Sequence, residues 1–131
     1  MNYKVENNQL KNLIQKFVNA TLLEMEEPCR AAWDNDFLDV PDWLNPHSCI
    51  DFDEVDKIIV TQVTKTESEV KIKYPSFDVN VDIYYDTLNY RTAWEDFMWQ
   101  IRDRIQSKYK ITLRFKVDEE INTYENRNWS Y

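Results

Sequence analysis

From Phe77 to Tyr85 the chain alternates strictly. Phe77, Val79, Val81, Ile83 and Tyr85 share one side, and Asp78, Asn80 and Asp82 take the other. A period of two marks a half-buried β-strand. Upstream, Val70, Ile72 and Tyr74 alternate with Glu69, Lys71 and Lys73, and the run Lys57–Thr64 is rich in β-branched residues that suit a pleated surface. The polar stretch 64–68 fits a hairpin connection. The pattern predicts three consecutive strands over 57–64, 69–74 and 77–85, most simply an antiparallel meander.

A fourth strand is expected where Ile111, Leu113, Phe115 and Val117 alternate with Lys110, Thr112, Arg114 and Lys116. Its outer face is basic, whereas Asp78 and Asp82 line the outer face of 77–85. If the two strands are neighbours, these charges pair across the sheet, worth about 0.2–1 kcal/mol each.

Two stretches carry helical spacing. Over 8–27 the apolar stripe is Leu10, Leu13, Ile14, Phe17, Val18, Leu22 and Met25. Pro28 is expected to close that helix, leaving Glu24, Glu26 and Glu27 at an end where the dipole disfavours them. They then need a partner that offsets their charge. Over 90–108 the stripe is Tyr90, Trp94, Phe97, Met98, Ile101 and Ile105, with Trp99 off its centre. The expected architecture is a single α+β domain over 1–131, a two-layer sandwich of order α-(long loop)-β-β-β-α-β. Both helices lie on one face of a four-stranded mixed sheet. The third and fourth strands, joined by a helix, are parallel if adjacent. Ile58, Ile59, Val60 and Val63 make the first strand apolar on both faces, so its second face calls for cover from 31–55 or from another subunit.

Glycine is absent from all 131 residues, where ordinary usage would supply about nine. A P-loop, a dinucleotide fingerprint and a Gly-x-Ser-x-Gly elbow all need glycine and are excluded. Turns must draw on Asn, Asp, Ser and Pro. No apolar run is long enough to span a bilayer, and the first residues lack the apolar core of a signal peptide. The expected location is the cytoplasm of a host cell or the inside of a virion. Cys29 and Cys49 are then most simply free thiols in a reducing compartment.

The net charge of −8 resides in one segment. Between Arg30 and Lys57 there is no Lys or Arg, but there are eight acids: Asp34, Asp36, Asp39, Asp42, Asp51, Asp53, Glu54 and Asp56. Trp33, Phe37, Leu38, Trp43, Leu44 and Phe52 punctuate them. A long connection of this kind is often functional, and acids among aromatics can form a recognition surface. The bland alternative is a connection whose aromatics anchor it to the core while its acids solvate it. Residues 118–131 form a polar tail that ends in Trp129 and Tyr131.

The chain holds the residue types of several chemistries. His47, Cys49, Asp51 and Asp53 share a side if extended, with Cys29 able to join, but no Cys-x-x-Cys or His-x₃-His pair supports a structural zinc site. His47 lies two residues from Cys49, which is not the spatial pairing that a cysteine nucleophile requires. The element order resembles the core of PD-(D/E)XK nucleases, with Glu69-Val70-Lys71 as Glu-x-Lys and Asp53 or Asp56 upstream. That resemblance implies a divalent-metal nuclease. Yet Glu69 follows Thr-Glu-Ser rather than apolar strand residues, and the acidic balance opposes contact with a phosphate backbone.

The sequence therefore predicts a non-catalytic protein–protein interaction protein with no cofactor and no metal. Its partners are other protein subunits, in a homo-oligomer or a hetero-assembly, with no direct nucleic acid and no membrane. The order and length also resemble small phage tail-terminator and neck subunits, which implies a structural role in a phage or viral particle. The alternative is a small acidic inhibitor or immunity protein, of the anti-restriction or anti-CRISPR type, presenting carboxylates to a basic nucleic-acid-binding protein. The candidate contact residues are Trp33, Asp34, Asp36, Asp39, Asp42, Trp43, Trp99 and Trp129.

Overall fold

A computed structural model describes residues 3–34, 40–66, 74–86 and 94–123, and within the first helix the side chains of 8–32. The described elements are α1 (Tyr3–Asp34), a short 3₁₀ turn (Pro46–Ser48), β1 (Val55–Lys65), β2 (Ser76–Tyr85), α2 (Trp94–Tyr109) and β3 (Thr112–Asn122). They form an α+β arrangement with one three-stranded mixed sheet in the order β1-β2-β3.

The sheet corrects the four-stranded expectation. β1 pairs directly and antiparallel with β2, from Val55↔Tyr85 to Lys65↔Phe77, and Thr66 N donates to Ser76 O at 2.9 Å. That pairing leaves no position for another strand between them, so 67–75 connect two strands that are already neighbours. The expected strand over 69–74 falls mostly outside the described residues, and Tyr74 lies in a bend. β2 pairs with β3 in parallel, from Ser76↔Thr112 to Tyr85↔Asn122. This is the parallel pairing expected of strands joined through a helix. It also sets Asp78 beside Arg114, whose Nε lies 3.2 Å from Asp78 Oδ1.

β3 runs past its alternating part to Asn122, through Asp118, Glu119 and Glu120. Its ladder with β2 carries it, because each backbone group left unpaired would cost free energy. The register shifts at Asp118, as in a β-bulge. Asp118 there turns its carboxylate across the sheet. Thr61 Oγ1 donates to Oδ2 at 3.0 Å and Asn80 Nδ2 to Oδ1 at 3.1 Å.

A second shift, between Val60 and Gln62, explains the two-faced look of β1. Ile58, Val60 and Val63 all end in the core, although a regular strand would send Val63 to the other side. Ile59 stays partly exposed on the open face. The cover expected from 31–55 on that face is not what buries these side chains.

One core joins the helices to a single sheet face. Ile14, Val18, Met25 and Cys29 of α1 meet Ile58, Val60, Val79, Val81 and Ile83 of the sheet, together with Phe97, Ile101 and Ile105 of α2. Thr21 sits within the buried stripe of α1, its hydroxyl satisfied by Phe17 O at 2.7 Å. Leu13, expected in the stripe, is exposed. Pro28 does not end α1. A proline inside a helix removes one backbone bond and crowds the carbonyl four residues back. Here the stripe continues beyond it, with Cys29 and Ala32 fully buried, and that burial offsets the cost.

Cys29 and Cys49 form a disulfide, with their Cα atoms 5.6 Å apart. This corrects the free-thiol expectation. The bridge ties α1 to the connection that leads into β1. Among the described residues no helix is long and apolar enough to cross a membrane.

α2 opens with Glu95 and Asp96 and closes with Lys108, matching its dipole. Lys110 follows with φ of 60°. Its N–H donates to Gln106 O at 3.0 Å, the left-handed C-cap usually taken by glycine. In a chain without glycine, a lysine bears the strain.

Candidate functional site

The two edges of the sheet differ. Gln15 of α1 reaches the outer edge of β1, where its Nε2 donates to Ile58 O at 2.9 Å and its Oε1 accepts from Val60 N at 2.7 Å. A primary amide has the same donor and acceptor as a peptide group, so Gln15 occupies the edge as a neighbouring strand would. On β3, β2 is the one strand neighbour among the described residues. Unpaired strand edges are templates for another chain.

Beside that edge runs a groove of about 620 Å³. α2 supplies Trp94, Glu95, Met98, Trp99 and Arg102; β3 supplies Arg114, Phe115, Val117 and Glu120. Both elements dictate this. The buried stripe of α2 points Phe97 and Ile101 into the core, which turns Met98, Trp99 and Arg102 toward β3. Alternation on β3 sends Phe115 and Val117 to the helix side, where both remain half-buried. Apolar side chains thus floor the groove. Two guanidinium groups and two carboxylates rim it, so formal charge balances around it.

Trp99 is the prominent member, 51% exposed. The guanidinium of Arg102 lies 3.7 Å over its ring, and Arg102 is itself held by Asp103 at 2.9 Å. The ring is thereby fixed in a presented orientation, with a cation–π contact that stabilises it. Trp and Arg are the side chains most often found at the energetic centre of protein interfaces.

The acidic segment is arranged differently. Leu44, Cys49 and Ile50 are buried, and Phe52 packs edge-on against Phe97 at 6.0 Å. Buried Gln100 holds the backbone of Asn45 from both sides: its Oε1 accepts from Asn45 N, and its Nε2 donates to Asn45 O at 3.2 Å. Trp43 is half-buried, with Arg104 4.2 Å over its ring. Arg104 and Lys108 in turn bind Glu24 of α1. Burial pushes the Glu24 carboxyl up, but the bonds from Lys108 and Arg104 outweigh it and hold the pKa below its ordinary 4.5. This is the offsetting partner that the acids of α1 require.

Several acids of the segment are engaged within the protein. Asp53 pairs with Arg30 at 2.7 Å, which raises the Arg30 pKa further. Asp51 Oδ1 accepts from Asp53 N at 3.0 Å, and Asp56 accepts from the Thr123 hydroxyl. Glu54 is half-buried, with an enclosed Oε2 that lacks a hydrogen-bond partner among the described residues. Burial first, then the charges of Asp51 and Asp53, push its pKa above 4.5. Among the described residues no group of three or more His, Cys, Asp or Glu is placed to hold a metal ion. The sulfur of Cys49, which in sequence stands near His47, Asp51 and Asp53 as a ligand type, is bonded to Cys29.

Of the contact residues expected from sequence, Asp42 is exposed, Trp43 belongs to the α1–α2 junction, and Trp99 belongs to the α2–β3 groove. Trp33 and Asp34 are the last residues of α1, with side chains outside those described. Asp36, Asp39 and Trp129 lie outside the described residues. The groove partners of Trp99 were not foreseen. Arg102 stands three positions on, a spacing that places two helix residues side by side, and this was the available signal. Phe115 and Val117 read as core, and only the strand order shows that they lie on an edge.

No protein-family model, no curated protein and no solved structure matches the chain.

Proposed function

We propose that this chain is a non-catalytic protein–protein interaction protein, a small subunit of a larger assembly, and that it engages its neighbours through the α2–β3 groove. The observation that carries this reading is Trp99, exposed yet held by Arg102 beside a strand that has one strand neighbour among the described residues. An apolar floor with a mixed charged rim is the usual anatomy of a protein interface. The balanced rim favours a polypeptide over an anionic ligand. The Cys29–Cys49 bridge suits oxidising settings, which include virion surfaces. A phage or viral particle is the form of assembly that the length and the helix–sheet–helix plan suggest.

The acidic-inhibitor reading draws less support. Its carboxylates at Asp51, Asp53 and Asp56 already serve the fold.

The test is recovery of bound proteins from the native source by the tagged chain, with low-salt and high-salt washes and identification by mass spectrometry. Scaffold subunits that survive high salt, and are lost with Trp99→Ala, are expected. A single basic nucleic-acid-binding protein, released by salt and unaffected by Trp99→Ala, would overturn the proposal in favour of the inhibitor.

A further inference from the structure

We infer that the groove between α2 and β3 takes a polypeptide segment that carries apolar side chains with a Lys or Arg beside them, the cation seated at Glu95 and Glu120. This deepens the assembly reading and rests on it, because it names the chemistry that the same groove selects.

The rim charges differ in whether the chain already answers them. Arg102 lies over Trp99 and donates to Asp103 Oδ1 at 2.9 Å. Arg114 Nε lies 3.2 Å from Asp78 Oδ1. Glu95 and Glu120 are exposed and line the same groove, and neither has an ion pair or a side-chain hydrogen bond among the described residues. Formal charge balances around the rim, yet the charge left for a partner to meet is negative. A partner carboxylate would compete with Asp103 and Asp78 for the arginines. A partner cation has no such competitor at the glutamates.

The fold gathers these two carboxylates at one end of the groove. α2 ends at Tyr109 and β3 begins at Thr112, so the strand runs back along the helix. Trp94, at the start of α2, packs against Tyr85 with ring centroids 6.1 Å apart, and Tyr85 pairs with Asn122 at the end of β3. The start of the helix therefore meets the end of the strand, with Glu95 on one and Glu120 on the other. The bulge at Asp118 is what brings Glu120 there. Glu120 pairs with Ile83, a core residue, and so lies on the helix side of the sheet. Unbroken alternation from Val117 would send it to the opposite face, and bulges re-aim side chains in this way. Next to the carboxylates the groove offers Met98, Phe115, Val117 and the exposed ring of Trp99 to apolar side chains. An apolar anchor with a charged rim that opposes the partner's charge is how an interface combines affinity with selectivity.

The test sets the full chain against a displayed library of short random peptides, then titrates the enriched peptide in synthetic form. Circular dichroism confirms the fold of each variant. Enriched peptides are expected to share an apolar cluster with a Lys or Arg at a fixed offset from it. Trp99→Ala should weaken binding of the synthetic peptide about thirtyfold. Glu95→Gln combined with Glu120→Gln should weaken it about fivefold at low salt, and should erase its advantage over a counterpart with glutamine in place of the cation. At high salt that fivefold effect should shrink, while the dependence on Trp99 remains. Enriched peptides without a shared cation would overturn the inference, as would a cationic peptide that binds the glutamate variant as tightly as wild type. A library that yields no peptide dependent on Trp99 would also overturn it. Scaffold subunits recovered through Trp99 but indifferent to the glutamate variant would overturn only this inference and leave the assembly reading standing.

Discussion

Gln15 Oε1 accepts the backbone N–H of Val60 at 2.7 Å, while the same side chain donates to Ile58 O. A helix side chain thus pairs one acceptor and one donor on the outer edge of β1, as a neighbouring strand would.

Removing the cap should therefore have two effects. Gln15→Ala leaves two backbone groups unpaired at a partly buried edge and is expected to cost about 1–3 kcal/mol. It also uncovers the outer edge of β1 at Ile58 and Val60. Chemical denaturation measures the first effect, and light scattering of concentrated samples beside wild type reports the second as growth of larger species.

The Cys29–Cys49 bridge closes a loop with a sequence separation of 20. Loop-closure entropy for that length gives about 3 kcal/mol. Denaturation with and without reductant should differ by that order. The double variant Cys29→Ser with Cys49→Ser should lose stability and no longer respond to reductant.

Lys110 holds φ at 60°. For a residue with a side chain this conformation costs about 1–2 kcal/mol. Lys110→Gly relieves it and is expected to raise stability by roughly 1 kcal/mol, less the loss of the Lys110 contact over Tyr74 at 6.0 Å. Thermal unfolding of the variant beside wild type measures the balance.

Two carboxylates should give opposite pH signatures. The folded pKa of Glu24 is lowered, so its contribution is present above its unfolded value and fades as pH falls through the folded one. Glu24→Gln should destabilise at neutral pH and approach wild type below about pH 4. The folded pKa of Glu54 is raised, so its favourable contribution is present below the unfolded value and is lost as pH rises through the folded one. At neutral pH the enclosed charge is a cost, and Glu54→Gln should stabilise. Near pH 4 that gain should be smaller. Melting curves of both variants across this range test the signs.

Much of the sheet was legible because alternation is a local property. Phe77–Tyr85 fixed which side chains of β2 face the core, and the opposed charges of Asp78 and Arg114 anticipated a contact found at 3.2 Å. The number of strands was not legible. Glu69–Tyr74 alternates as cleanly as β2, but pairing is decided between distant segments, and β1 took β2 directly. Helix α1 passed through Pro28 because burial beyond it outweighed a local rule. The disulfide was hidden because two lone cysteines carry no spacing signal. Trp99 stood out as the residue off its helical stripe. The edge that gives it meaning emerged only from the sheet order.

The measurement that tests the central claim most directly is amide hydrogen exchange, residue by residue, on the isolated chain at low concentration and on the assembled state. Assembly is expected to protect the amides of β3 that point away from β2, together with the backbone around Trp99, while Val60, already bonded to Gln15, stays unchanged. Protection gained instead over 40–56, with β3 exchanging as it does in the isolated chain, would contradict the account and move the interface to the acidic segment.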